Sequence, residues 1–519
     1  MKRAGRSKSR NGCITCKMRH VRCGEEKPDC LQCLKGGRKC DGYNSASQKQ
    51  LHEKVSRSNL CPAVGPDNRI VLLPGSREER QYVHAFCTQI SQAFSGFFSS
   101  DLWNYFLPQL SYREPTVRHA VAAVSAMYEQ HTNPSADGRG SDLFALQQYN
   151  KAIQKFRDHL ANPKEFKYDL LLVTCLLFIC VEMLRSNNVR VLDHIQGGIH
   201  ILLNQQKLVS PKRRDGIDHE LSQLFYRLNI QLPLFGRPVI SFDPQPKKQT
   251  SAPRQAIKFE NISQARESLT SITNRGLAFS RSAFSHSLSQ SPSLERTAPP
   301  DQIREQQLKQ QWQLEQECYD WYTAFELMME KPAKKIGLLD PRATLVLKIN
   351  YNTSLVWLLC CTARHECIYD EYNTYFENIV AAAEEIITLG RNLEKPSGLE
   401  PFSLDADVVP MVYWAATKCR EPYIRRRAIE VLAKYPTKEG LWGQGRRHCS
   451  TARRILEIEE EPLLHLAIGE RVPDDSQRVY DALMFPENDV FPNPCPVLLL
   501  MKPQGVDGPW ARQSEFVGW

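Results

Sequence analysis

No stretch of this chain is long and apolar enough to cross a bilayer. The most hydrophobic run, Leu170 to Val181 (LLLVTCLLFICV), is bounded by Asp169 and Glu182. It falls short of the roughly 20 residues that a spanning helix needs and reads as a fully buried core helix, so no membrane partner is expected. The opening segment, MKRAGRSKSRNG, is charged and has no apolar run that would serve as a secretory signal. A phosphate-cradling glycine loop, a nucleophile elbow and a dinucleotide fingerprint are also missing, so nothing nominates a reaction and no enzyme is expected. Sustained apolar/polar alternation is absent, which excludes a body built mainly from strands.

Positive charge is missing from most of the chain as well. The 519 residues carry 67 Lys and Arg against 58 Asp and Glu, a net charge of +9. Residues 1–40 alone hold twelve Lys and Arg against three Asp and Glu, an excess of the same size. Residues 41–519 are therefore balanced. A compact basic module on a neutral body is the electrostatic footprint of a phosphate-backbone binder.

What the basic segment does contain is cysteine. Cys13, Cys16, Cys23, Cys30, Cys33 and Cys40 follow the spacing C-x2-C-x6-C-x6-C-x2-C-x6-C, one unit written twice. Two cysteines two residues apart can grip one tetrahedral zinc ion. Three thiolates per half leave such an ion one ligand short, and the halves complete each other if two sulfurs bridge both metals. Two structural Zn²⁺ ions are thus the expected content. With six thiolates the charge of the metallated module falls by two, to about +7. Three disulfides are the rival reading. The missing signal segment and the eleven other cysteines, scattered singly or in pairs through apolar stretches, speak against it.

The cysteine spacing, the basic residues between Cys16 and Cys23, Pro28 in the joint and the trailing Cys40-Asp41-Gly42-Tyr43 resemble the fungal zinc binuclear cluster transcription factors. The resemblance implies that Cys13 and Cys30 are the bridging sulfurs. It also implies that a short helix after Cys16 enters the major groove of double-stranded DNA, at a CGG-type triplet. Arg19 and His20 then face base edges, while Lys17 and Arg22 meet phosphates. Zinc would fix the ends of the segment between Cys16 and Cys23, letting a turn or two of helix form there. His20 departs from the family, which usually has Lys or Arg at this position. It is mostly neutral at pH 7, so DNA affinity is expected to rise as pH falls. Lys8 and Arg10 in the basic arm serve nuclear import or phosphate contact. Lys35 and Arg38 are read as further phosphate contacts.

The expected fold class is mostly α: a small two-zinc module, a linker and a large all-helical regulatory domain. Its expected parts are a basic arm (1–12), the zinc cluster (13–43), a linker (44–79), helical body (80–240), a largely flexible insertion with one helix (241–302), more helical body (303–484) and an irregular tail (485–519). The linker lacks the sustained heptads of a coiled coil, which leaves homodimerisation open. From residue 80 the apolar period is helical, as in Tyr82, Phe86, Ile90, Phe94 and Phe97. The body resembles the helical regulatory domain of the same family in Leu107 to Glu129, Gln148 to Ile153 and Leu171 to Leu203. That resemblance implies a nuclear regulator that meets transcriptional co-regulators.

Three further features are weighed and set aside. Ten Asp and Glu between Glu457 and Asp489 read as the acidic face of a terminal helix plus a loop, ahead of an activation segment. His365, Glu366, Cys367, Asp370 and Glu371 point in different directions on a helix, which argues against a catalytic cluster. Gly197 and Gly198, between His194 and His200, read as sites of close helix packing.

Overall fold

The computed structural model describes residues 12–19, 21–40, 74–132, 138–161, 168–208, 216–242, 257–288, 301–393, 402–436, 438–442, 445–484 and 492–519. The chain divides into two units, Met1–Leu72 and Leu73–Trp519. The first contains two one-turn helices, α1 (Ile14–Met18) and α2 (Leu31–Lys35). It has no aliphatic core among the described residues, and its buried centre is made of cysteines.

The second unit is a helical body with a continuous apolar core. Its first helix, α3 (Arg77–Ala85), is opened by a reciprocal cap. Ser76 Oγ accepts from the Glu79 N–H at 3.1 Å, and Glu79 Oε2 accepts from the Ser76 N–H at 3.0 Å. The chain continues through α4 (Ser91–Ser95) and α5 (Leu107–Arg113) to α6 (Pro115–Thr132), α7 (Gly138–Leu160) and α8 (Tyr168–Leu184). Helix α8 holds the apolar run singled out above. Every residue from Leu170 to Met183 is buried, the pattern of a helix surrounded by others rather than half-exposed. It packs against α6 and against α9 (Asn188–Leu208). Helix α10 (Gly216–Leu234) lies against α9. A Cβ on Gly198 would sit 2.2 Å from the Phe225 ring, so glycine is required for that approach, whereas Gly197 faces open space.

Further helices complete the body: α11 (Ile262–Leu288), α12 (Asp301–Met329), α13 (Arg342–Cys360), α14 (Asn373–Leu393), α15 (Val409–Lys418), α16 (Pro422–Lys434) and α17 (Arg446–Glu460). Two short strands, β1 (Phe402–Ser403) and β2 (Lys438–Glu439), pair in parallel. The mostly helical fold class is as the sequence indicates.

The one helix expected within the segment 241–302 is present as the 27-residue α11. Trp321 anchors it by donating from Nε1 to the Ala265 carbonyl at 2.8 Å. Residues 243–256 and 289–300, with Ser291 and Pro292, lie outside the described residues. One other expectation, on the tail, needs correction: from 485 it is not irregular throughout. With β3 (Val479–Met484), strands β4 (Cys495–Met501) and β5 (Ala511–Val517) form an antiparallel sheet ordered β3-β4-β5. Val479, Val497, Leu499 and Val517 cluster with Ile455 of α17 in a small second core.

Candidate metal centre and nucleic-acid interface

Each half of the cysteine repeat starts a helix with its own first cysteine. Cys13 Sγ accepts from the Cys16 N–H at 3.4 Å and caps α1, and Cys30 Sγ accepts from the Cys33 N–H at 3.4 Å and caps α2. A single turn is unstable alone, so these caps and a shared metal site are what hold it. The helix therefore begins before Cys16, at Ile14, and ends at Met18 with Arg19 as its C-cap. This corrects the expectation of a helix between Cys16 and Cys23, because the sulfur cap sets the start.

The two halves meet sulfur to sulfur. Cys13 Sγ lies 3.6 Å from Cys30 Sγ and 3.8 Å from Cys33 Sγ, and Cys16 Sγ lies 3.6 Å from Cys30 Sγ. A tetrahedral zinc site with Zn–S near 2.3 Å has sulfurs about 3.8 Å apart, whereas a disulfide holds them at about 2.0 Å. The spacing fits a metal and excludes disulfides between these pairs. Two quartets have all their ligand atoms within 4.8 Å of one another: Cys13, Cys16, Cys23, Cys30 and Cys13, Cys30, Cys33, Cys40. Cys13 and Cys30 belong to both, which is the arrangement two bridging thiolates require. These are the only such His, Cys, Asp or Glu groups among the described residues.

Cys13, Cys16, Cys30 and Cys33 are fully buried and Cys23 nearly so. Burial, and then the neighbouring thiols, push the Cys13 and Cys33 thiols above the ordinary range and Cys16 up to about 12. Thiols raised in this way ionise readily only if a cation supplies the opposite charge, which is what zinc does. Further bonds tie the module shut. The Cys13 and Glu25 N–H groups donate to Cys23 Sγ at 3.3 and 3.4 Å. Thr15 Oγ1 donates to the Lys39 carbonyl at 3.4 Å, and Glu26 accepts from the Leu31 N–H at 3.0 Å. Neither Thr15 nor Glu26 is singled out by sequence reasoning, since each acts on a residue outside its own half or helix.

Lys17, Arg19, Arg22, Lys35 and Arg38 are all exposed, and none makes an ion pair among the described residues. The Arg19 guanidinium reaches the second half, beside Gly36 at the end of α2. Lys8, Arg10 and His20 lie outside the described residues. The module therefore presents several exposed cations outside a buried metal-binding core.

A fungal Zn(2)-Cys(6) binuclear cluster domain matches residues 11–50, and a fungal specific transcription factor domain matches residues 81–320. The chain belongs to the fungal zinc-cluster transcription regulators. The Aspercryptin biosynthesis cluster-specific transcription regulator atnN of Emericella nidulans is 31% identical over 38% of this chain and 35% of its own. Transcription regulator lscL of Purpureocillium lilacinum is 28% identical over 36% of this chain and 48% of its own. Transcriptional regulatory protein moc3 of Schizosaccharomyces pombe is 46% identical over 10% of this chain and 11% of its own. The match thus spans about half or less of each relative's length. No solved structure matches the chain. As a zinc-cluster regulator it holds two zinc ions structurally in its six-cysteine module.

The other sequence clusters have structural roles in this regulator. Glu366 is buried and pairs with Lys418 at 2.8 Å and Arg420 at 3.2 Å, while Asp370 pairs with Arg478 at 2.6 Å. Glu459 is fully buried between Arg420 at 2.8 Å and Arg425 at 2.7 Å, and its carboxylate accepts from the Val479 N–H at 2.7 Å. Burial raises the Glu459 carboxyl, but the Arg420 and Arg425 charges outweigh it and hold the group below its usual range. Glu460 is likewise buried, against Arg426. Within the acidic stretch, Glu459 thus ties the C-terminal sheet to the helices and Glu460 is buried beside it, while Glu457, Glu461, Glu470 and Asp474 are exposed, as expected of the acidic face of a terminal helix and the loop after it. No helix of the described residues is long and apolar enough to cross a membrane.

Proposed function

We propose that this regulator binds double-stranded DNA sequence-specifically in the nucleus, reading a CGG-type triplet. The observation that carries the reading is the set of exposed cations, without ion-pair partners among the described residues, on a module whose buried centre is cysteine sulfur. Zinc supplies the folding free energy, of order 10 kcal/mol for structural sites. That exceeds what a forty-residue segment gains from a core of its own. Cys13 and Cys30 bridge the two ions, and Cys16, Cys23, Cys33 and Cys40 are terminal ligands.

Lys17, Arg22, Lys35 and Arg38, with Lys8 and Arg10 of the arm, neutralise phosphates and set affinity. Arg19 suits a bidentate contact to guanine O6 and N7, and His20 lies next to it in sequence. The helical body meets co-regulators and is the place for self-association, since the linker lacks heptads.

The test is fluorescence anisotropy of the full-length, zinc-loaded protein on two duplexes, one containing CGG and one with that triplet scrambled. The expected result is tighter binding to the first and a steep loss of affinity with salt. Equal affinity for both would leave the cluster as a basic scaffold for protein contacts.

A further inference from the structure

One face of the C-terminal sheet is spent on the helical body, where Val479, Val497, Leu499 and Val517 cluster with Ile455 of α17. Successive side chains on a strand point to opposite faces, so the residues between these form a second, outer face. An antiparallel sheet that covers a core ordinarily turns polar residues to that side. Here the outer face is apolar at its centre. Leu498 and Leu500 of β4 are half-buried among their neighbours. Leu483 of β3 is 38% exposed and Phe516 of β5 is 71% exposed. Contiguous exposed apolar side chains of this kind mark an interaction surface.

The register says what fits it. Asp481, Leu500 and Arg512 lie side by side across the three strands, and so do Leu483, Leu498 and Ser514. Residues paired in this way share a face. A leucine pair is therefore flanked by an acid on one edge strand and a base on the other. Asp481 and Arg512 are both exposed, and neither makes an ion pair among the described residues. Two strand spacings keep them about 10 Å apart, too far to neutralise each other directly.

We infer that this outer face pairs with the same face of a second copy of this chain, about a two-fold axis running along β4. The inference rests on the placing of self-association in the body and names its surface. Such an axis lays β3 of one copy over β5 of the other. Leu498 and Leu500 meet their own counterparts, and Asp481 stands opposite the partner's Arg512 on both flanks. An axis across the strands would instead stack β3 on β3 and β5 on β5, leaving these charges unmatched. The contact is isologous, so it closes at two copies. Three strands of seven residues present a face of only about 300 Å², well below the roughly 800 Å² per partner of a stable interface. The dimer is therefore weak, with a Kd of order micromolar, and is favoured when two copies are concentrated on one DNA.

The test is sedimentation velocity of the full-length, zinc-loaded protein, without DNA, over a concentration series spanning the micromolar range. A reversible monomer–dimer equilibrium is expected. Asp481→Arg and Arg512→Asp should each weaken it at least about tenfold, because like charges then face each other. Both positions are exposed, so the thermal midpoint should stay unchanged. Mixing the two single variants should restore association, since each supplies the charge that the other lacks. Leu498→Glu should abolish it by setting two carboxylates together at the centre. A monomer at every concentration, a dimer indifferent to these substitutions, or weakened variants that do not recover on mixing would each overturn the inference. With no DNA present, failure here leaves triplet reading untouched, and failed triplet selectivity leaves this interface untouched.

Discussion

In the zinc module Lys17, Arg19, Arg22, Lys35 and Arg38 stand exposed with no carboxylate partner among the described residues. In the helical body Arg420, Arg425 and Arg478 are each 1% exposed and closed on Glu366, Glu459 and Asp370. The same residue types do opposite work. A buried guanidinium must be paired, because removing its partner leaves an uncompensated charge in a low dielectric. An exposed one contributes little to stability and is left available to a polyanion. The interiors differ in the same sense. The body is held by apolar burial, while the module has only sulfur inside and depends on its metal.

The largest break in this comparison is metal loss. Cys30→Ser removes a sulfur shared by both quartets. It should release both zinc ions and abolish DNA binding, a loss of order 10 kcal/mol in module stability. Helical circular dichroism and the body's thermal midpoint should hardly move, and retention of one zinc by mass spectrometry would refute the bridging role.

Next in size is Arg420→Met, which strips Glu366 and Glu459 of a fully buried partner. A loss of about 3–5 kcal/mol is expected. Urea denaturation should show it, with zinc content unaffected in native buffer.

Glu79 gives a smaller effect with a defined pH window. Its carboxylate accepts from Gln148 Nε2 at 2.9 Å and Lys151 Nζ at 3.0 Å. Burial raises its pKa, but these bonds and the Ser76 N–H outweigh that and hold it at about 2. A depressed carboxyl contributes stability that is present above its ordinary value near 4.5 and lost as pH falls toward about 2. Glu79→Gln should therefore cost about 1–3 kcal/mol at neutral pH and flatten stability across that acid window. An unchanged acid profile would show that the network does not hold the charge.

The smallest effects on stability belong to the exposed cations. Arg19→Ala should cost about 1–3 kcal/mol at the preferred site and relax discrimination there. Lys17→Ala should lower all DNA affinities alike and reduce the salt slope by about one. Neither should shift the melting of the body. A stability loss from either would mean that these cations are structural after all.

What the sequence disclosed follows from how local each device is. Metal ligands at fixed short spacing are read directly, and the sulfur geometry agrees with them. Helix α8 was legible because a continuous apolar run too short for a membrane has one natural home. The C-terminal sheet was not legible. Strand β4, CPVLLLM, is apolar almost throughout and shows no alternation, while β5, ARQSEFV, is mostly polar. The ion-pair hub was hidden because its partners are far apart in the chain, Arg478 from Asp370 by 108 residues and Arg420 from Glu459 by 39. The helix start at Ile14 was missed because a cysteine is not an ordinary N-cap.

The most direct test of the account is selection from a random duplex pool by the full-length, zinc-loaded protein at two salt concentrations. Enrichment of a CGG-containing site, lost when zinc is chelated and weakened as salt rises, is the predicted result. Zinc-loaded protein that retains DNA without enriching any sequence would contradict it, leaving the exposed cations as a sequence-indifferent anchor.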